Sequence, residues 1–130
     1  MSPDKVRALQ ALSPRLFREV PRGGISCGDG WFEILRRFAE ALEQSTPLDQ
    51  ELPQVVQIKQ KFGDLRIYVV NPSVDGRPQD PEIVETVHTM IQELEEMSHT
   101  ICETCGRPGE LRTDIGWWRV SCDACAKRGR

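Results

Sequence analysis

The sequence contains no apolar run near the length of about 20 residues that a membrane-spanning helix requires. The N-terminal segment, residues 1–5, also lacks the apolar core of a secretory signal peptide. We therefore expect a cytoplasmic protein without a membrane partner. In that reducing compartment, paired cysteines favour metal thiolates, and disulfides are the alternative.

Histidine is scarce, and the catalytic motifs that depend on it are missing. The two histidines, His88 and His99, lie in neither the H-E-x-x-H motif of zinc proteases nor the H-x-E motif of zinc deaminases. His99 stands three residues before Cys102 and is an alternative metal ligand. A solvent-exposed histidine at a helix end is the simpler interpretation.

Basic residues are absent from one long stretch of the chain. Residues 78–101 carry six acidic side chains and no lysine or arginine, while the whole chain has a net charge of −3. Such a balance by itself predicts neither nucleic-acid nor membrane binding. An acidic helix of this kind suits a basic protein surface or simply solvent.

Four of the five cysteines form two CxxC pairs, Cys102 with Cys105 and Cys122 with Cys125, separated by 16 residues. A hairpin between the pairs would bring four thiolates to one ion, at the distance of about 2.3 Å typical of zinc. Because protein would fill all four positions, the pattern predicts a structural zinc site. Residues 126–128 either begin a short helix, as in treble-clef modules, or belong to a zinc-ribbon turn.

The hydrophobic pattern predicts an α+β fold, with helices packed on a small antiparallel β-sheet or hairpin. The body spans residues 1–100, and a four-cysteine zinc module of the zinc-ribbon or treble-clef type spans residues 101–130. Pro14 interrupts the first helix. The predicted helices cover residues 4–20, 30–44 and 80–98, and the hairpin covers 54–70. On that hairpin we expect Val56, Ile58, Phe62, Leu65, Ile67 and Val69 to face inward. A third strand, if present, is not visible in the pattern.

Two adjacent tryptophans, Trp117 and Trp118, stand between the cysteine pairs. Adjacent strand residues face opposite sides, so one indole is expected to cover the zinc core while the other points outward. Tryptophan and arginine are enriched at binding hot spots, and Arg112 and Arg119 are close in sequence. The candidate partner-binding residues are Trp117, Trp118, Arg112 and Arg119, with the hairpin's outer residues Lys59, Lys61 and Arg66. The hairpin residues suit phosphates or an ordinary solvated face.

Several short motifs resemble those of a group of short bacterial and prophage-borne proteins without an assigned mechanism. The motifs are the segment 27–31 (CGDGW), the segment 61–68 (KFGDLRIY), the segment 101–109 (ICETCGRPG) and the segment 116–118 (GWW). The resemblance spans residues 27–125. It implies a bacterial or phage origin and transfers no activity.

We predict a non-enzymatic, zinc-stabilised binding protein that engages a macromolecular partner. For a phage-type protein, the partner would be a host protein or complex that the chain inhibits or modulates. The alternative is a nucleic-acid-binding or transcription-associated zinc protein. A second alternative is an enzyme with Cys27 as its nucleophile, although Cys27 also fits a small buried apolar position. The sequence does not determine the oligomeric state.

Overall fold

The computed structural model describes residues 1–20, 25–71, 73–74, 77–78, 80–114 and 116–128. Within these ranges the chain has the predicted α+β fold, with five α-helices, one three-stranded sheet and two short two-stranded ones. The body contains α1 (Pro3–Leu12), α2 (Pro14–Phe17), β1 (Ile25–Ser26), a 3-10 turn (Asp29–Trp31), α3 (Phe32–Ser45), β2 (Gln54–Lys61), β3 (Asp64–Val70), β4 (Ser73–Val74), β5 (Arg77–Pro78) and α4 (Pro81–Ser98). The C-terminal module contains β6 (Glu110–Arg112), β7 (Arg119–Ser121) and α5 (Asp123–Arg128).

Proline divides the N-terminal helix, as the sequence predicts. Ser13 separates α1 from α2, and Pro14 occupies the first position of α2, where its missing N–H is not needed. The helix ends at Phe17, so the prediction of helix up to residue 20 is wrong at that end. Leu16 and Phe17 are fully buried and join these helices to the core.

The predicted hairpin is present, and a third strand joins it. Phe62 and Gly63 form a two-residue turn with φ values of 53° and 85°, the positive values that a type I′ turn requires. β1 pairs in parallel with β2, with Ile25 opposite Ile58. This strand is too short to give a periodic signal in the sequence.

The inward face of the hairpin differs from the prediction at two positions. A register shift between Val55 and Gln57 places Val55, rather than Val56, on the face shared with Ile58. Val55 and Ile58 are fully buried, whereas Val56 is only partly buried. Phe62 lies in the turn with 65% of its surface exposed, so its assignment to the core is wrong.

Helix α4 covers the free edge of β3. The backbone N–H of Leu65 donates to Ser98 Oγ at 3.2 Å, and the backbone N–H of Ile67 bonds the Glu95 carboxylate. Burial raises the pKa of Glu95. These side chains satisfy backbone groups that an edge strand would otherwise expose. They also fix the end of α4, from which the C-terminal module continues.

In the described part of the chain, no helix combines the length and the apolarity needed to cross a bilayer.

Candidate metal centre

The four cysteines of the two CxxC pairs meet at one point. Their sulfur atoms all lie within 4.8 Å of one another, and the Sγ atoms of Cys105 and Cys122 are 3.6 Å apart. None of the four forms a disulfide. Metal–sulfur bonds of about 2.3 Å in a tetrahedron place neighbouring sulfurs about 3.8 Å apart. The cluster therefore has the donor set and the dimensions to hold a metal ion.

A tight turn presents the first pair. The backbone N–H of Cys102 donates to the carbonyl of Arg107 at 2.7 Å, and that of Gly106 donates to the carbonyl of Cys102 at 2.9 Å. Gly106 has a φ of 82°, which glycine adopts without strain. An isolated bridge between Ile101 and Pro108 closes the base of the turn. Both sulfurs consequently point to the same side.

The second pair lies at the start of α5. Cys122 immediately precedes the helix, and the N–H of Cys125 points at Cys122 Sγ at 3.4 Å. Ala126 N–H donates to the carbonyl of Cys122 at 2.9 Å and continues the turn. The order of CxxC turn, β-hairpin and helix is the treble-clef arrangement. The helix thus favours that arrangement over the ribbon turn that the sequence left open.

Backbone hydrogen-bond donors lower the pKa of the cysteine thiols, whereas burial raises it. Burial raises the pKa of the Cys102 thiol, but N–H groups of Cys122, Cys105 and Thr104 outweigh it and lower that pKa to about 6. The N–H of Cys125 likewise lowers the pKa of Cys122. Burial raises the pKa of Cys125 to about 11. Because metals bind thiolates, the backbone N–H groups at Cys102 and Cys122 favour the form of the thiol that a metal requires.

Arg112 is held within the module. Its Nε donates to the carbonyl of Ser121 at 3.0 Å, and its Nη2 pairs with Asp123 Oδ1 at 2.5 Å. These contacts raise the pKa of Arg112 and lower that of Asp123. The arginine therefore joins β6 to the start of α5.

Residues 28–31, called the docking segment below, fasten the module to the body. The N–H of Gly28 donates to Glu103 Oε2 at 2.9 Å, and the N–H of Gly30 donates to the Glu103 carbonyl at 2.7 Å. The indole Nε1 of Trp31 donates to the carbonyl of Ile101 at 2.9 Å. A Cβ on Gly30 would lie 2.1 Å from the Cys102 oxygen, so the close approach requires glycine. Nothing in the sequence analysis predicted this contact.

The β2–β3 turn contacts the other side of the module. Gln60 Nε2 donates to the Trp118 carbonyl at 2.7 Å. The rings of Phe62 and Trp118 meet edge to face, with centroids 6.0 Å apart and an interplanar angle of 68°. A Cβ on Gly63 would lie 2.5 Å from Leu111 Cδ1. The module therefore packs against two separate segments of the body.

Both adjacent tryptophans are exposed, so the prediction that one covers the metal core is wrong. Trp117 exposes 60% of its surface and Trp118 exposes 48%. Leu111 and Phe62, which flank them, expose 50% and 65%. Trp118 lies instead at the junction between body and module, where its ring meets Phe62 and its carbonyl accepts from Gln60. We call Phe62, Leu111, Trp117 and Trp118 the composite surface.

The basic residues predicted to bind a partner divide into two groups. Lys61 lies over the ring of Phe62, and Arg119 lies over the ring of Trp117, each 6.0 Å from the ring centroid. Lys59 lies over the ring of Tyr68 at 5.2 Å. Arg66 instead pairs with Asp64 at 3.0 Å, as Arg112 pairs with Asp123. The first three therefore border exposed aromatic rings, and the last two take part in internal ion pairs.

His99 stands apart from the cysteine cluster. Its Nε2 lies 2.6 Å from Asp64 Oδ1, and 53% of its side chain is exposed. It thus occupies the exposed helix-end position that was the simpler interpretation of the sequence.

Cys27 is buried, and its environment disfavours a reactive thiolate. Only 5% of its surface is exposed, and burial, with the nearby Glu103 charge, raises the pKa of its thiol to about 12. A nucleophilic cysteine needs the opposite shift. The environment fits a small buried apolar side chain next to the docking segment.

Comparison with known proteins gives no matching family model, no matching curated protein and no matching solved structure. The resemblance described from the motifs therefore stays a prediction.

Proposed function

We propose that this chain is a non-enzymatic binding protein in which a structural zinc ion stabilises the C-terminal module and the composite surface engages a protein partner. The observation that carries the proposal is the exposure of Phe62, Leu111, Trp117 and Trp118 at the junction of module and body. Two of these residues would have been expected in a core. Large exposed apolar patches commonly mark interaction sites.

Zinc is the metal that best suits the cluster. Four sulfur donors within 4.8 Å favour a soft or borderline ion in tetrahedral geometry. Because all four positions are occupied by cysteine, no position is left for a catalytic water. The ion would supply stability, on the order of 10–16 kcal/mol of binding free energy in small modules.

The residues themselves suit protein recognition. Tryptophan supplies a large contact area and carries most of the energy in many interfaces. The edge-to-face contact of Phe62 with Trp118 restricts the positions of both rings before a partner arrives. A preorganised aromatic surface loses less entropy on binding than a mobile one. By the resemblance, the partner would be a host protein or complex that the chain inhibits or modulates.

The burial of Cys27 supports the non-enzymatic assignment. Its thiol is nearly inaccessible and its pKa is raised to about 12, so little thiolate is available at neutral pH. Among the described residues, burial and nearby charges act on this thiol, and no hydrogen bond to a base does. Catalysis would require both an accessible thiolate and such a base.

Nucleic-acid binding is the second candidate, since Lys59, Lys61 and Arg119 lie over exposed aromatic rings. Aromatic rings bordered by cations also bind single strands. That function predicts an affinity that falls steeply with salt as phosphate contacts are lost.

The test is capture of partners from bacterial host lysate on immobilised zinc-loaded protein, with and without nuclease and at two salt concentrations. Trp118→Ala removes the centre of the composite surface. Leu48→Ala is the matched control, because Leu48 is 87% exposed and far from the module in sequence. We expect one protein that wild type and the Leu48 variant retain, that the Trp118 variant loses, and that binds again when purified. Recovery of nucleic acid alone, lost at higher salt, would contradict the proposal.

A further inference from the structure

Two cations at the composite surface lack a carboxylate partner among the described residues. Lys61 and Arg119 border this surface, and neither forms an ion pair with a carboxylate in the described part of the chain. Two nearby carboxylates are already engaged. Asp64 pairs with Arg66 and His99, and Asp123 pairs with Arg112. The surface therefore offers positive charge to a ligand.

Arg119 is the cation at this surface with unpaired hydrogen-bond donors. Its Nε and Nη2 atoms are buried and have no hydrogen-bond partner among the described residues. These two N–H groups point from the same edge of the guanidinium, the edge that binds a carboxylate through two parallel hydrogen bonds. A ligand reaches these buried atoms only if a neighbouring side chain moves, and the Trp117 ring, 6.0 Å from the guanidinium and 60% exposed, is one that can change rotamer. A carboxylate would satisfy donors that are costly to leave unpaired.

The apolar part of the surface favours a protein ligand over a single-stranded nucleic acid. Leu111, with half of its surface exposed, has no π face on which a base could stack. Phe62 and Trp118 meet at 68°, so they form a corner and not a parallel platform. An aliphatic or aromatic side chain fits such a corner better than a base.

We propose that the composite surface binds an acidic protein segment that carries an apolar anchor residue. The anchor packs into the corner between Phe62 and Trp118, and a carboxylate of the same segment pairs with the Nε and Nη2 edge of Arg119. Lys61 adds a second, weaker attraction to acidic residues. This inference rests on the proposed function, because it names the chemistry of the partner at that surface.

The test is a selection of random 12-residue peptides against immobilised zinc-loaded protein, with removal of peptides that also bind Trp118→Ala. We expect the retained peptides to be rich in Asp and Glu around a Leu, Phe or Trp. Arg119→Gln should weaken them by about 10- to 100-fold, the worth of a charge-assisted hydrogen bond. Arg119→Lys keeps the charge and loses the paired geometry, so it should recover only part of the affinity. Zinc stoichiometry confirms the fold of each variant.

The outcomes separate the two proposals. Peptides that depend on Trp118 but lack acidic residues, or that tolerate Arg119→Gln, would overturn the acidic partner and leave the protein-binding function in place. Failure to obtain any Trp118-dependent peptide would overturn both. Binding of a 15-residue oligothymidine that depends on Trp118 and weakens with salt would overturn them in favour of nucleic acid.

Discussion

Replacing Gly30 with alanine should separate the module from the body. The added Cβ would lie 2.1 Å from the Cys102 oxygen and 2.6 Å from the Glu103 carbonyl carbon. Ordinary contacts between such atoms begin near 3.4 Å. The turn that carries Cys102 must therefore move away from residue 30 by about 1 Å or more. The Cys102 oxygen and the Glu103 carbonyl are backbone atoms, so they cannot rotate out of the way as a side chain would.

The expected loss follows from the contacts of the docking segment. It makes three hydrogen bonds to the module, from Gly28 N–H, Gly30 N–H and Trp31 Nε1. At about 1 kcal/mol each, their loss costs roughly 3 kcal/mol. The reduced entropy of the unfolded chain returns about 0.5 kcal/mol. A net loss of about 2–3 kcal/mol is a large part of the 5–15 kcal/mol typical of a domain, and it leaves the protein folded.

Two measurements check this expectation. Urea denaturation at a fixed free zinc concentration gives the change in stability, since metal linkage otherwise distorts the comparison. Hydrogen exchange at the Trp31 indole reports the bond to Ile101 directly. Gly116→Ala is the control: Gly116 has a φ of 92° and no atom within 4 Å of its added Cβ, so it tests backbone strain without a clash. If Gly30→Ala behaves like this control, with the Trp31 indole still protected, the argument for the docking segment is wrong.

Three further perturbations have defined outcomes. Hydrogen bonds from Arg15 lower the pKa of the Glu43 carboxyl, and Arg15 Nη2 lies 2.9 Å from Glu43 Oε2. The pair therefore stabilises the fold above the pKa of about 4.3 that Glu43 has in the unfolded chain. This stabilisation is lost as the pH falls through the lower pKa of the folded state. Glu43→Gln should cost about 2 kcal/mol in urea at pH 7 and flatten the acid side of the stability profile. Ser98→Ala leaves the buried N–H of Leu65 without its acceptor and should lower the free energy of unfolding by about 2 kcal/mol in the same assay. Ser98→Thr keeps the hydroxyl and should cost less. Equal losses of stability in the two variants would contradict the role of the hydroxyl. Iodoacetamide at pH 8 should label Cys27 only after unfolding, because its pKa is raised to about 12; rapid labelling of the native zinc-loaded protein would refute this.

The sequence predicts the elements well where their signal is local. The CxxC spacing locates all four cysteines of the cluster, because each pair is confined to one turn. The hairpin follows from the alternation of apolar residues over 54–70, and Pro14 marks the division of the first helix. Each of these features depends on residues a few positions apart. Such signals survive in a single sequence.

Contacts between distant segments escape the same reasoning. The docking segment meets the module across about 70 residues, through backbone groups, the Trp31 indole and the Glu103 carboxylate, and this contact leaves no periodic pattern in the sequence. The strand β1 has two residues, and the register shift at Val55 depends on tertiary packing. The exposure of Trp118 likewise depends on Phe62, a residue far away in sequence. None of these is encoded by local propensity or periodicity.

The short motifs that carry the resemblance lie where the C-terminal module packs against the body. Gly28, Gly30 and Trp31 receive the CxxC turn, and the β2–β3 turn receives the module hairpin. Folding therefore accounts for these motifs without any catalytic role. It does not account for Trp117, whose one ring contact among the described residues is Arg119 and which leaves 60% of its surface in solvent. Because exposed tryptophan adds little to stability, its presence beside an arginine with unpaired donors is the reason why we propose a binding surface here.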